Sequence, residues 1–519
     1  MSAVTAPRPQ TTKTMRLPSL ARARRAGAAA GLVLAAGALL GACSNDSLLG
    51  LNNNPNNPTD APAGPLFTNA VNSTVSRFRG SNFDFTGTSL FAQHFAKVQY
   101  VDEDQYRIRA ANINNAFFLP AYSGELEDLR KVRQKGQEGA APATTAAAAV
   151  MQTWTFGILT DSFGDIPYSQ ALLGDTTGAS FTPAYDPQQQ IYRGFFTELA
   201  AASTSLTGAS NSLGAADPVF GGDPARWQKF ANSLRARFAL RQIKADAAGT
   251  NTQLTAAFAA PGGVMTSNAD NAQVVWPGDG INDNPYAANF RQRDDNRMSK
   301  VLVDTLNAYA DPRLPVYAQP TAADPTVYAG LQNGLSTPNA APFFNTTSRP
   351  GAIFYSGTTA YGTFGNASNA RTPSYLMTYA EVAFIQAEAA ARGIGGLSAG
   401  QAQGFYEAGV RASMGQWGIT NSAAVTAYLA QPGVAYVAGA EGLRRIALYT
   451  QGSEAWSEYR RTGVPALIPA PARPASITGV PRRLPYPTNE QSINSASRAA
   501  AVERQGADTY NTRVWWDRP

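Results

Sequence analysis

Residues 223–245 read DPARWQKFANSLRARFALRQIKA. Trp227, Phe230, Leu234 and Phe238 recur three and four positions apart, so they fall on one helical face, expected to be core. Asp223 before Pro224 is helix-start chemistry. The aspartate oxygen can accept from first-turn N–H groups, and a proline there gives up no hydrogen bond. DPQQQIYRGFFTELAAASTSL (186–206) repeats the opening, with Asp186 as N-cap and Pro187 at the first helical position.

The same periodicity runs through most of the chain from about residue 65. It is present in PLFTNAVNSTVSRF (65–78), TSLFAQHFAKVQYV (88–101), NNAFFLPAYSGELEDLRKVRQK (114–135) and ATTAAAAVMQTWTFGILTD (143–161). It returns in SYLMTYAEVAFIQAEAAARG (374–393), AQGFYEAGVRASMGQWG (402–418) and EGLRRIALYTQGSEAWSEYRRTG (441–463). Short breaks pair these helices, and alanines stand where two helices could approach closely. The expected fold is mostly α, a degenerate tetratricopeptide-like helix-hairpin array, since no strict 34-residue period occurs. Two stretches, 261–293 and 320–372, are rich in Gly, Asn, Pro, Ser and Thr, with scattered aromatics. They are expected to be ordered loops with a few short strands, forming an irregular lobe over about 261–372 of a single domain spanning 65–519.

The N-terminus reads as an address. Arg22, Arg24 and Arg25 precede the apolar run AGAAAGLVLAAGALLGA (26–42), too short and too rich in Ala and Gly to span a membrane. Leu40-Gly41-Ala42-Cys43 fits a lipoprotein box, with small residues before a cysteine that takes a diacylglycerol. Residues 1–42 are thus expected to be a signal peptide, with Met15 a possible true start, and Cys43 a lipid anchor. Residues 43–64, rich in Asn and Pro, read as a flexible tether.

Composition removes several function classes. The formal charge of +6 is misleading, because six of the 42 basic residues lie in 1–42, which has no acid; 36 basic then face 36 acidic residues. A nucleic-acid partner is therefore not expected. With one Cys (Cys43) and one His (His94), no disulfide and no Cys/His zinc cluster can form within the chain. His94 lies in an apolar-periodic stretch and is read as structural. No catalytic residue, no metal and no cofactor is expected.

The chemistry-bearing motifs read mostly as structural. In TDSFGDIPY, Asp161 and Asp165 flank a turn at Gly164, where carboxylates accept from backbone N–H groups. Arg460 and Arg461 follow Glu454 and Glu458 at spacings suited to ion-paired helix packing. Arg482, Arg483 and Glu490 flank Tyr486 in a turn expected to dock the C-terminal segment onto the scaffold. Asp270, Asp279, Asp283, Asp294 and Asp295 lack EF-hand spacing and are read as solvated loop acids rather than a calcium site. A sugar site needs exposed ring faces beside amide and carboxylate side chains. Trp276, Tyr286 and Phe290 with Asn282 and Asn284 meet that description in composition, as do Tyr355 and Tyr361 with Asn366.

Seven segments together resemble one family, the SusD/RagB nutrient-uptake lipoproteins. They are the lipobox with the tether LNNNPNNPTDAP (51–62), ILTDSFGDIPYSQAL (158–172), DPARWQKFANSLRARFALR (223–241), TYAEVAFIQAEAAARG (378–393), WSEYRRTGVP (456–465), PRRLPYPTNEQSIN (481–494) and Trp515-Trp516-Asp517. The resemblance implies a surface lipoprotein of the outer membrane that captures oligosaccharides, or peptides in some members. It also implies that the ligand passes to a SusC-like TonB-dependent transporter, without catalysis. A protein-binding helical scaffold and a carboxylate-dependent glycan hydrolase are the alternatives.

Overall fold

Asp223 caps a helix as its sequence expects. In the computed structural model of the chain, its carboxylate accepts from the N–H groups of Ala225 (2.9 Å) and Arg226 (3.4 Å), and the helix runs Pro224–Arg241. Trp227, Phe230, Leu234 and Phe238 are all buried. The structure describes residues 61–80, 82–176, 181–291, 293–354, 370–438 and 444–519. Cys43, the tether up to residue 60, Tyr355, Tyr361 and Asn366 lie outside them.

Among the described residues, twelve helices reach eight residues or more. They are α1 (Ala63–Phe78), α2 (Glu127–Glu138), α3 (Pro142–Phe163), α4 (Gln188–Leu206), α5 (Pro224–Arg241) and α6 (Ala247–Phe258). Then come α7 (Lys300–Ala308), α8 (Tyr379–Ala391), α9 (Ala402–Gln416), α10 (Ser422–Leu429), α11 (Gly452–Thr462) and α12 (Ser495–Gln505). Each of α1 and α3 packs on α2, α3 on α4, α4 on α5 and α5 on α6; α8 pairs with α9 and also touches α5. This is the expected helix-hairpin scaffold. Small residues set the spacing: a Cβ on Gly157 of α3 would stand 2.4 Å from the Phe238 ring of α5.

The residues divide into two main cores. One fills the α1–α6 scaffold and the C-terminal segment. The other fills the lobe, joining Tyr286, Phe290, Met298 and Leu302 to one side of α8 and α9. Val382, Ile385 and Ala389 of α8 face the first core, and Ala380, Phe384 and Ala387 the second. A helix wedged between two cores is apolar on both of those faces, and the acids it buries, Glu381 and Glu388, need ion-pair partners.

Ion pairs stitch these layers. Arg237 of α5 grips Glu381 of α8 through two hydrogen bonds of 2.6 Å. Arg241 binds Asp161 of α3 and Glu454 of α11. Arg461 holds Glu388 of α8 (2.6 Å) and, as its spacing suggested, Glu458 (2.8 Å). Arg460 departs from that expectation. It donates to the carbonyls of Asp161 and Arg482 and to Ser457 Oγ, and lies 3.6 Å over the Trp456 ring. Burial pushes its guanidinium down to about 9.

Among the described residues there are also six short strands, β1–β6. Strand β1 (Phe95–Lys97) pairs antiparallel with β5 (Asn296–Met298), with Ala96 opposite Arg297. Strand β2 (Ile166–Pro167) pairs with β3 (Tyr185–Asp186), and β4 (Ala272–Val274) with β6 (Ser374–Met377), both antiparallel. Three local expectations are corrected. The helix expected over 88–101 stops at Phe91 and gives way to β1, because tertiary pairing with β5 outweighs the apolar period. SYLM, expected at a helix start, is β6; Thr378 then caps α8 by accepting from Glu381 N–H. Asp186 does not cap α4, which begins after Pro187. Its carboxylate instead accepts from the N–H groups of Tyr168 (3.1 Å) and Ser169 (2.8 Å).

Candidate functional site

The aromatics expected to form a sugar platform are interior. Trp276 is 3% exposed and donates its indole N–H to Ser374 Oγ (2.9 Å). Tyr286 is 1% exposed, donates its hydroxyl to Asp84 (2.6 Å), and packs edge-on against Phe85 at 4.6 Å. Asn284 caps the short helix Pro285–Phe290 and donates to the Thr372 carbonyl (2.8 Å). Phe290 is also buried. An exposed ring face at Trp276 and Tyr286 is therefore corrected: Trp276 belongs to the scaffold core and Tyr286 to the lobe core, each with its polar tip satisfied inside.

Four of the five loop acids are engaged in ion pairs rather than solvated. Asp270 pairs with Lys229 (3.0 Å), Asp283 with Arg291, Asp294 with Arg297 (2.9 Å) and Asp295 with Lys97 (3.0 Å). Exposed Asp279 accepts from the N–H groups of Ile281 and Asn282 in a turn. Among the described residues, no group of three or more His, Cys, Asp or Glu could hold a metal ion. Asp161 sits inside α3 rather than in the turn, accepting from Tyr192 O–H (2.5 Å) and Trp516 N–H (2.8 Å). Asp165 accepts from a backbone N–H as expected, but from Gln188 at the start of α4 (2.9 Å). His94 is buried. The Tyr486 turn does dock the C-terminal segment: its hydroxyl donates to the Asp165 carbonyl, and Arg482 binds Asp517.

An aromatic face of the required kind lies elsewhere, in the segment after β1. Tyr100 is 69% exposed. Its backbone lies in the left-handed region at φ +52°, as do Gln93 (+54°) and Tyr106 (+66°). Non-glycine residues there are strained and persist only where surroundings over-determine them. Asp104 does so. Its carboxylate accepts from Lys97 N–H (3.0 Å), Gly334 N–H (2.8 Å) and the Asn333 amide (2.7 Å). Burial pushes this carboxyl up to about 6 in spite of those donors. Tyr106 is fixed by accepting from Ala470 N–H (3.1 Å).

The strand pair sets what stands beside the ring. Lys97 on β1 meets Asp295, next to β5, and Asp295 also binds Arg293 at 3.0 and 2.9 Å. Burial alone would raise the Asp295 carboxyl, but Lys97 and Arg293 hold it below its ordinary value. Arg293 in turn lies 4.7 Å over the Tyr100 ring. Gln99, Asp102 and Arg107 are exposed nearby in sequence. The result is a partly open ring with amide, carboxylate and guanidinium groups on the same short segment.

Sequence reading missed Tyr100 because it extended a helix through it. The available signal was the run Asp102-Glu103-Asp104, which breaks the apolar period directly after the ring.

The fold and this surface define a class: a helical-scaffold binding protein presenting an aromatic face among polar groups. The SusD-like family model, described as starch-binding and associating with the outer membrane, matches residues 55–487, and the chain belongs to that family. A chitin-binding protein of known structure is 29% identical, with TM-score 0.74, over 88% of this chain and 100% of its own. A chitin-binding SusD homolog from Flavobacterium johnsoniae is 25% identical, with TM-score 0.74, over 87% and 98%. A SusD homolog from Bacteroides uniformis is 26% identical, with TM-score 0.75, over 89% and 100%. No curated protein matches the chain.

Proposed function

We propose that this chain is a surface-exposed outer-membrane lipoprotein that captures oligosaccharides on the Tyr100 face. It delivers them to a SusC-like TonB-dependent transporter and cleaves nothing. The observation that carries the reading is the family match across residues 55–487. The chitin-binding relatives favour a glycan over a peptide ligand. Tyr100 meets the physical requirement for a sugar: an exposed ring available to C–H groups, with the Arg293 guanidinium over it and exposed Gln99 and Asp102 adjoining it in sequence. Cys43 carries the acyl chains in this reading. At about 0.8 kcal/mol per buried methylene, more than one chain holds a protein stably on a bilayer.

Two experiments test the reading. Titrated with chitin and starch oligosaccharides, the purified protein should bind saturably and return each ligand uncut. Products whose formation a single Asp or Glu substitution abolishes would replace it with the hydrolase alternative. Cys43→Ala should move the protein from the membrane to the soluble fraction. Fatty-acid labelling that survives the substitution would overturn the anchor.

A further inference from the structure

The helical scaffold carries a second cleft, of ≈ 480 Å³, walled by α2, α3 and α4 and by the segment after β2. Its volume lies within the range of small-ligand sites, roughly 300–1,000 Å³. The half-buried Tyr168 ring forms one wall. It is backed edge-on by Phe156 at 5.0 Å and Phe195 at 5.7 Å. Gly194 of α4 makes room for it: a Cβ there would stand 2.7 Å from the ring. Burial raises the Tyr168 phenol, so it stays neutral.

The polar lining is braced across three helices. Arg133 of α2 donates to Gln152 of α3 (2.9 Å) and to Glu198 of α4 (2.8 Å), and Gln152 donates to the Leu126 carbonyl (3.0 Å). Gln134 and Gln137, both exposed, line the same cleft from α2. At the far wall Leu172 holds φ +63°, a strained conformation for a branched residue. The charges cancel locally, three against three: Arg133 is paired with Glu198, Arg130 with Glu127 and Asp175, and Lys131 with Glu127 (3.7 Å).

We propose that this cleft is a second saccharide site, distinct from the Tyr100 face, that takes a short neutral oligosaccharide. The Tyr168 ring supplies the apolar face, and Gln134, Gln137 and Ser169 supply the hydroxyl partners. Because these cations are already matched, the site offers no surplus charge for an acidic sugar. The inference rests on the reading that the chain binds glycans, and its test keeps the two apart.

The test titrates the full chain in detergent with tetra-N-acetylchitotetraose, maltotetraose and an acidic tetrasaccharide of uronic acids. The neutral probes should show two classes of binding. Tyr100→Ala should remove one. Tyr168→Ala should weaken the other about thirtyfold, and the exposed pair Gln134→Ala/Gln137→Ala, which leaves the core untouched, about tenfold. The acidic probe should not occupy the second site. A single binding class, lost with Tyr100→Ala and unchanged in the glutamine pair, would overturn the second site and leave the Tyr100 site standing. No binding of either neutral probe by the unsubstituted protein would overturn both.

Discussion

Trp227 on α5 and Trp276 in the irregular segment after β4 end in the same core by different routes. Trp227 belongs to a period of three and four, and its indole N–H reaches Asp217 (2.7 Å). Trp276 lies among Gly, Asn and Asp with no period, yet its N–H reaches Ser374 and its ring is equally hidden. A helix announces its buried face in one dimension because its geometry repeats. An irregular lobe does not, because its buried face is assembled from segments far apart in sequence. Gly and Asn around a ring therefore mark irregular backbone, and are no evidence that the ring is exposed.

Trp227→Ala and Trp276→Ala should each cost about 3–5 kcal/mol, read as a large fall in Tm. Glycan affinity of whatever folded Trp276→Ala protein remains should be unchanged. A Trp276→Ala protein that keeps its Tm but loses ligand would return that ring to the binding surface.

The next effect sharpens the contrast between a pinned segment and a packed core. Asp104 has a folded-state pKa near 6, above the ordinary carboxylate value of 3.8, because burial penalises its charge. Its contribution to stability is therefore fully present below about pH 3.8 and is lost as pH rises through 6. The size is about 3 kcal/mol. Asp104→Asn should flatten that part of the pH dependence of unfolding between pH 4 and 7. An unaltered profile would mean that Asp104 titrates normally and that the segment is held otherwise.

The smallest expected effect separates exposed from buried rings. Tyr100→Ala should lower glycan affinity about thirtyfold, some 2 kcal/mol, while stability moves by no more than about 0.5 kcal/mol. A collapse in Tm with affinity retained would place Tyr100 with Trp276.

Sequence alone determined the helical class, the pairing of helices, the core stripe of α5 and the structural role of the turn at Gly164. Each depends on neighbours three to seven residues apart, a range over which helix geometry and capping chemistry are set. It also signalled irregular backbone with short strands after residue 261, where β4 and β5 lie. Only the tertiary structure decided that 95–97 is a strand, since its partner β5 lies about two hundred residues away. The same holds for Arg460, expected in ion-paired helix packing but whose contacts are two carbonyls, Ser457 Oγ and two tryptophan rings. Which aromatics face outward was decided there too. Tyr100 is outside because Asp104, Asn333 and Gly334 fix its segment in a strained turn, and Tyr286 is inside because Asp84, 202 residues earlier, takes its hydroxyl. Burial depends on contacts between segments distant in the chain, and local spacing does not record them.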